Sequence, residues 1–81
     1  MKTTQYNLYG TEGCHLCDIA EQICAELIRD DSVAYVDIIE QPKLVELYGT
    51  SIPVLEHLNS HMALYWPFNK EQLQEFISGT N

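Results

Sequence analysis

The sequence predicts an α/β fold with elements in the order βαβαββα, a four-stranded mixed sheet flanked by helices. Three observations carry this. Short β-branched and aromatic runs alternate with stretches of helical apolar spacing. A Cys-x-x-Cys pair, Cys14 and Cys17, marks the passage from the first strand to the first helix. Two short apolar runs, separated by a polar turn, come just before the last helix. With 81 residues and 46% hydrophobic content, the chain is expected to form one domain over residues 1–81 around a single core.

The first strand is expected over Gln5 to Tyr9, followed by the loop Gly10-Thr11-Glu12-Gly13. From Cys14 to Arg29 the apolar residues Leu16, Cys17, Ala20, Ile23, Cys24, Leu27 and Ile28 recur at three and four, the mark of a helix with one buried stripe. Asp30-Asp31-Ser32 ends it, and Val33 to Ile38 reads as the second strand, parallel to the first because a helix separates the two. Pro42 suits the first turn of a short helix that carries Leu44, Val45, Leu47 and Tyr48 and stops at Gly49. Ile52 to Leu58 and Met62 to Tyr65 read as an antiparallel pair with Asn59-Ser60 between them. In the last helix Asn69 is the cap, answered by Gln72, while Phe68 and Leu73 form a hydrophobic staple. Leu73, Phe76 and Ile77 supply its apolar face, and Gly79 is expected to follow its end.

The position of the cysteines gives them chemistry. A helix start offers unpaired N–H groups and partial positive charge, both of which favour an anion such as a thiolate at Cys14. At such positions the thiol pKa falls from about 8.5 to roughly 3.5–7.5. Cys17 lies on the same side, and placing Cys14 at the half-helical cap gives the pair the freedom to close a disulfide. His15, between them, favours a thiolate when protonated and is read as tuning the redox potential, whereas Glu12, Asp18 and Glu21 oppose it. Cys24 is two helical turns beyond Cys17, about 10.5 Å along the axis, too far for a disulfide that needs Cα atoms within about 7 Å; it is read as core.

Four basic residues against twelve acidic ones, a formal charge of -8, argue against nucleic acid and membrane partners. No apolar window is long enough for a transmembrane helix, and Met1-Lys2-Thr3-Thr4-Gln5 lacks the apolar stretch of a signal peptide, so a cytoplasmic location is expected. In that compartment closely spaced cysteines are catalytic or metal-binding more often than stapling. His57-x-x-x-His61 could complete four metal ligands with the cysteines on paper, yet the separation far exceeds the roughly 12–15 residues of a zinc finger, and no metal site is assigned.

This order of elements, with Gly13-Cys14-His15-Leu16-Cys17 opening the first helix, Val36-Asp37, Leu44-x-x-x-Tyr48-Gly49 and Ile52-Pro53-Val54-Leu55, resembles the thioredoxin fold in its short glutaredoxin form. With Trp66-Pro67-Phe68 added, the chain is similar to a group of small glutaredoxin-like proteins. The resemblance implies a cis Pro53 beside the sulfurs, with Ile52 presenting its backbone to an extended substrate segment. It implies a thiol–disulfide oxidoreductase in which Cys14 attacks and Cys17 resolves, with no cofactor beyond the redox-active pair. The expected partners are protein or small-molecule disulfides and a reductant, thioredoxin reductase or a glutathione system, with the chain a monomer. Two features of glutathione-using relatives are missing: a lysine just before the first cysteine, where Thr11-Glu12-Gly13 stands, and a Gly-Gly turn before the last helix, where Tyr65-Trp66-Pro67-Phe68-Asn69 stands. The competing class is a non-catalytic metal-binding protein, iron–sulfur or zinc, or a redox sensor on the same fold.

Overall fold

The computed structural model describes residues 4–80, so the expectation for Met1-Lys2-Thr3 lies outside the described residues. Strand β1 (Tyr6–Gly10) leads to helix α1 (His15–Leu27), a 3-10 turn (Asp30–Ser32), β2 (Val33–Asp37), α2 (Pro42–Tyr48), β3 (Val54–His57), β4 (Ala63–Tyr65) and α3 (Lys70–Thr80). The sheet order is β2-β1-β3-β4, with β1 parallel to β2, antiparallel to β3, and β3 antiparallel to β4. The mixed sheet and the element order are those the sequence predicts.

Strand alternation divides the core between the two faces. Tyr6, Leu8 and Leu55 pack with Ala20, Cys24 and Ile28 of the α1 segment and with Phe68 and Leu73 at the start of α3. Tyr9 and Val54 turn the other way, toward Ile38, Leu44 and Tyr48 on and before α2. The first and second helices therefore cover opposite faces. On the α2 side the Tyr9 and Tyr48 rings stack 4.8 Å apart, and the Tyr9 hydroxyl donates to Glu56 Oε1 at 2.6 Å.

The entry to α3 follows the predicted chemistry. Asn69 N–H donates to Gln72 Oε1 and Gln72 N–H to Asn69 Oδ1, both at 2.8 Å, so two groups that the helix cannot pair are satisfied reciprocally. Phe68 and Leu73, either side of this cap, are both buried. The other end differs from expectation: α3 runs through Gly79 to Thr80, because Thr80 Oγ1 donates to the Ile77 carbonyl at 2.9 Å and lies 3.0 Å from the Tyr6 hydroxyl. That tertiary anchor outweighs the helix-stopping tendency of glycine.

Other boundaries also shift. α1 ends at Leu27, not Arg29, since Ile28 is extended (φ -121°, ψ 139°) and its side chain enters the core. Leu16, assigned to the buried stripe, is 45% exposed, because the face that α1 turns to the sheet is the one carrying Cys17, Ala20 and Cys24. The β3–β4 connection is longer than Asn59-Ser60. His57 N–H bonds the Met62 carbonyl, His61 adopts a left-handed φ of 62°, and Ser60 Oγ holds His57 Nδ1 at 2.8 Å, which removes Leu58 and Met62 from the strands. No helix among the described residues is long and apolar enough to cross a membrane.

Candidate functional site

Cys14 is the N-cap of α1, with extended backbone (φ -85°, ψ 105°), and its Sγ accepts the Cys17 N–H at 3.1 Å. The two residues form a disulfide with Cα atoms 5.2 Å apart, inside the usual span of about 4.4–6.8 Å. Gly13, at φ 82°, reverses the chain into the helix, a conformation that glycine adopts without steric cost. Cys14 N–H then bonds back to the Thr11 carbonyl at 3.3 Å. The sulfurs differ in access: Cys14 is half-buried, whereas Cys17 is 0% exposed.

Gly10 is where the sheet meets the pair. A methyl-sized group on its Cα would stand 3.0 Å from Cys17 Sγ and 2.6 Å from the Tyr35 hydroxyl, so a side chain here would displace the Tyr35 hydroxyl and press Cys17 back by a few tenths of an ångström. Val54 pairs with Tyr9 across the β1–β3 ladder, which brings Pro53 level with Gly10, at the cysteine end of the sheet. The Ile52–Pro53 peptide is cis, and the Pro53 carbonyl accepts the Trp66 N–H at 3.2 Å. Ile52 is half-buried with its N–H committed to the Tyr48 carbonyl at 3.1 Å, so any backbone contact from Ile52 to a substrate runs through its carbonyl. His15 is exposed at the first helical position.

The histidines of the paper metal set lie elsewhere. His57 pairs with Tyr6, at the end of β1 remote from Gly10, with its ring 5.1 Å from the Tyr6 ring, and His61 approaches Glu56 at 3.7 Å. They do not converge with Cys14 and Cys17. Among the described residues no group of three or more His, Cys, Asp or Glu side chains could hold a metal ion.

Cys24 is a buried free thiol, as the core reading requires. Burial, with the Glu21 carboxylate adding to it, pushes the thiol up to about 11. Because the unfolded chain ionises this thiol at a lower pH, stability is undiminished below that unfolded value and declines as pH rises toward the folded one. In the reduced native protein at pH 8, Cys24 is expected to resist iodoacetamide while the half-buried Cys14 reacts. Peptide mapping checks this, and early labelling of Cys24 would contradict its core position.

Two features went unread in the sequence. The Trp66–Pro67 peptide is also cis. Tyr35, on edge strand β2, reaches back over Gly10 and donates to the Thr11 carbonyl at 3.3 Å. It borders a cleft of about 510 Å³ beside the Cys14 loop, which Glu12, Asp18, Glu21 and Asp37 also line. Burial first, then the carboxylates of Asp37, Glu21 and Asp18, raises the pKa of the Tyr35 hydroxyl above its ordinary value.

The family model described as Glutaredoxin-like domain (DUF836) matches residues 5–78. Among solved structures, the chain is similar to the crystal structure of protein XcR50 from X. campestris, with 31% identity and a TM-score of 0.82 over 91% of this chain and 96% of that one. The solution structure of the same protein gives 30% identity and a TM-score of 0.80 over 94% and 95%. Protein Ne2328 from Nitrosomonas europaea shares the fold, with 24% identity and a TM-score of 0.68 over 94% and 93%. No curated protein matches the chain.

Proposed function

This chain belongs to the Glutaredoxin-like domain (DUF836) family, and from that membership we propose that it is a thiol–disulfide oxidoreductase working through Cys14 and Cys17. The observation that carries the reading is the asymmetry of the pair: one sulfur reachable at a helix cap, bonded to another with no exposed surface. In the reduced form a thiolate at Cys14 keeps the Cys17 N–H and the helix-start field, which favour the anion. That thiolate attacks a substrate disulfide, forming a mixed disulfide and releasing one substrate thiolate. Cys17 then attacks Cys14 Sγ, releasing the second and restoring the disulfide. Pro53 and Ile52, at the same sheet end, orient the substrate segment, and His15 adds positive charge when protonated.

The substrates on this reading are protein or small-molecule disulfides in a reducing, cytoplasmic setting, with electrons supplied by thioredoxin reductase or a glutathione system. The test is NADPH consumption coupled through either reductase while a disulfide-bonded peptide is reduced, set beside elemental analysis of the purified protein. Turnover that requires Cys14 supports the proposal. A stoichiometric metal with no turnover would put the protein in the metal-carrying class instead. Glutathione is expected to support roughly tenfold or more lower activity than in a glutaredoxin that has the cation and the Gly-Gly turn, because a hydrogen bond to a charged group is worth about 1.5–3 kcal/mol. Glu12 stands on the approach to Cys14, and a like charge there disfavours an anionic tripeptide.

A further inference from the structure

The reverse step, reduction of the Cys14–Cys17 disulfide, raises a question the paired sulfurs do not answer. A thiolate attacks Cys14 Sγ, the bond to Cys17 breaks, and the electron pair leaves on Cys17 Sγ, which is 0% exposed. A buried anion without a hydrogen-bond donor is costly. The Tyr35 hydroxyl is close at hand: it and Cys17 Sγ both sit over Gly10 Cα, 2.6 Å and 3.0 Å from the place of a missing side chain, so their separation cannot exceed those two lengths laid end to end. In the oxidised chain this hydroxyl donates to the Thr11 carbonyl at 3.3 Å, beyond the usual length for an O–H donor and therefore released at little cost.

We infer that Tyr35 is the hydrogen-bond donor for the departing Cys17 sulfur, its O–H turning from the Thr11 carbonyl to Cys17 Sγ as the disulfide opens. The inference rests on the exchange chemistry proposed above. The charged groups facing Tyr35 are Asp37 on its own strand, Asp18 and Glu21 on α1, and Glu12 in the loop that lines the same cleft. All are carboxylates, which keep the phenol protonated and hence a donor, not a base. With dithiothreitol as reductant the step balances as follows. One reagent thiolate bonds to Cys14 Sγ while Cys17 leaves as a thiolate, accepts the Tyr35 hydrogen bond and takes a proton from solvent. The second reagent thiolate attacks the reagent sulfur bonded to Cys14, displaces Cys14 Sγ as a thiolate and closes the reagent's ring. The reagent loses two electrons and releases two protons to solvent; the protein gains the two electrons, and one proton from solvent ends on Cys17.

Tyr35→Phe keeps the ring and removes only the oxygen. Dithiothreitol is expected to reduce its Cys14–Cys17 disulfide roughly tenfold more slowly at pH 7 than in the wild type. In a Cys14→Ser background, the pH profile of Cys17 alkylation, read by peptide mapping, should move up by about one pH unit when Tyr35 becomes Phe. In a Cys17→Ser background the Cys14 profile should stay where it is. Unchanged rates and profiles would overturn the inference while leaving the exchange chemistry intact. Equal shifts at Cys14 and Cys17 would overturn it too, since they would trace to the loop losing its bond to the Thr11 carbonyl. A wild-type disulfide inert to dithiothreitol would end both readings, an outcome distinct from the other two.

Discussion

Cys14→Ser is expected to abolish disulfide exchange, lowering the rate roughly a thousandfold or more, because a serine hydroxyl does not ionise at neutral pH and cannot carry the covalent intermediate. Cys17→Ser is expected to behave differently: it keeps the first attack and stalls as a mixed disulfide. The asymmetry follows from geometry. Cys14 is at the cap, half-buried, with the Cys17 N–H 3.1 Å from its sulfur, while Cys17 lies on the buried stripe with Ala20 and Cys24. At a pH below the ordinary thiol range, a limiting amount of iodoacetamide should label Cys14 first. Peptide mapping that finds Cys17 alkylated first, or mixed disulfides accumulating on the Cys14→Ser variant, would reverse the roles.

Leu55→Ala is expected to be the most damaging change to the fold. Leu55 is 0% exposed on a central strand, pairs with Leu8 in the ladder, and shares its cluster with Ala20, Cys24, Phe68 and Leu73 from both helices on that face. Truncating a buried leucine costs about 2–5 kcal/mol, through lost transfer energy and a cavity that relaxes only partly. Native stability runs to roughly 0.05–0.15 kcal/mol per residue, so this change consumes a large share of what a chain of this size has. The melting temperature should fall by more than about 10 °C. Leu47→Ala, at a position 66% exposed, should change stability by no more than about 0.5 kcal/mol. A loss below about 1 kcal/mol for Leu55→Ala would mean that the core is centred elsewhere.

Local rules made much of this fold readable. Asn69 and Gln72 announce a reciprocal cap, the spacing of Ala20 and Cys24 announces a buried helical face, and Pro42 announces a helix start; the structure contains each. The misplaced boundaries lie where distant contacts override those rules, as when Thr80 meets the Tyr6 hydroxyl and carries α3 past a glycine, or when Ile28 leaves the helix to fill the core. Leu16 followed the helical period, but the buried face of α1 is set by its neighbour Cys17 with Ala20 and Cys24, which leaves Leu16 exposed. In the site, the cysteine pair and its helix-start setting were legible because one short motif contains them. Tyr35 was not, because its hydroxyl reaches the site from a neighbouring strand, and Gly10 read as a loop glycine until the approach of Cys17 made its missing side chain matter.

Strand order has a consequence for how the molecule is made. β1 lies in the middle of the sheet, yet in the chain it precedes both of its neighbours, β2 and β3, and the Tyr6 hydroxyl meets its partner at residue 80. During synthesis its two edges remain unpaired, the first until residues 33–37 arrive and the second until residues 54–57 arrive. Such long-separation pairings are slow to close, and an uncovered strand in the interval is open to association with other chains. The disulfide joins residues only three apart and so does nothing to hasten that closure. The element that follows β1 directly is α1, whose apolar stripe packs on one face of β1, and contacts this near in the chain need less loop closure than the strand pairings.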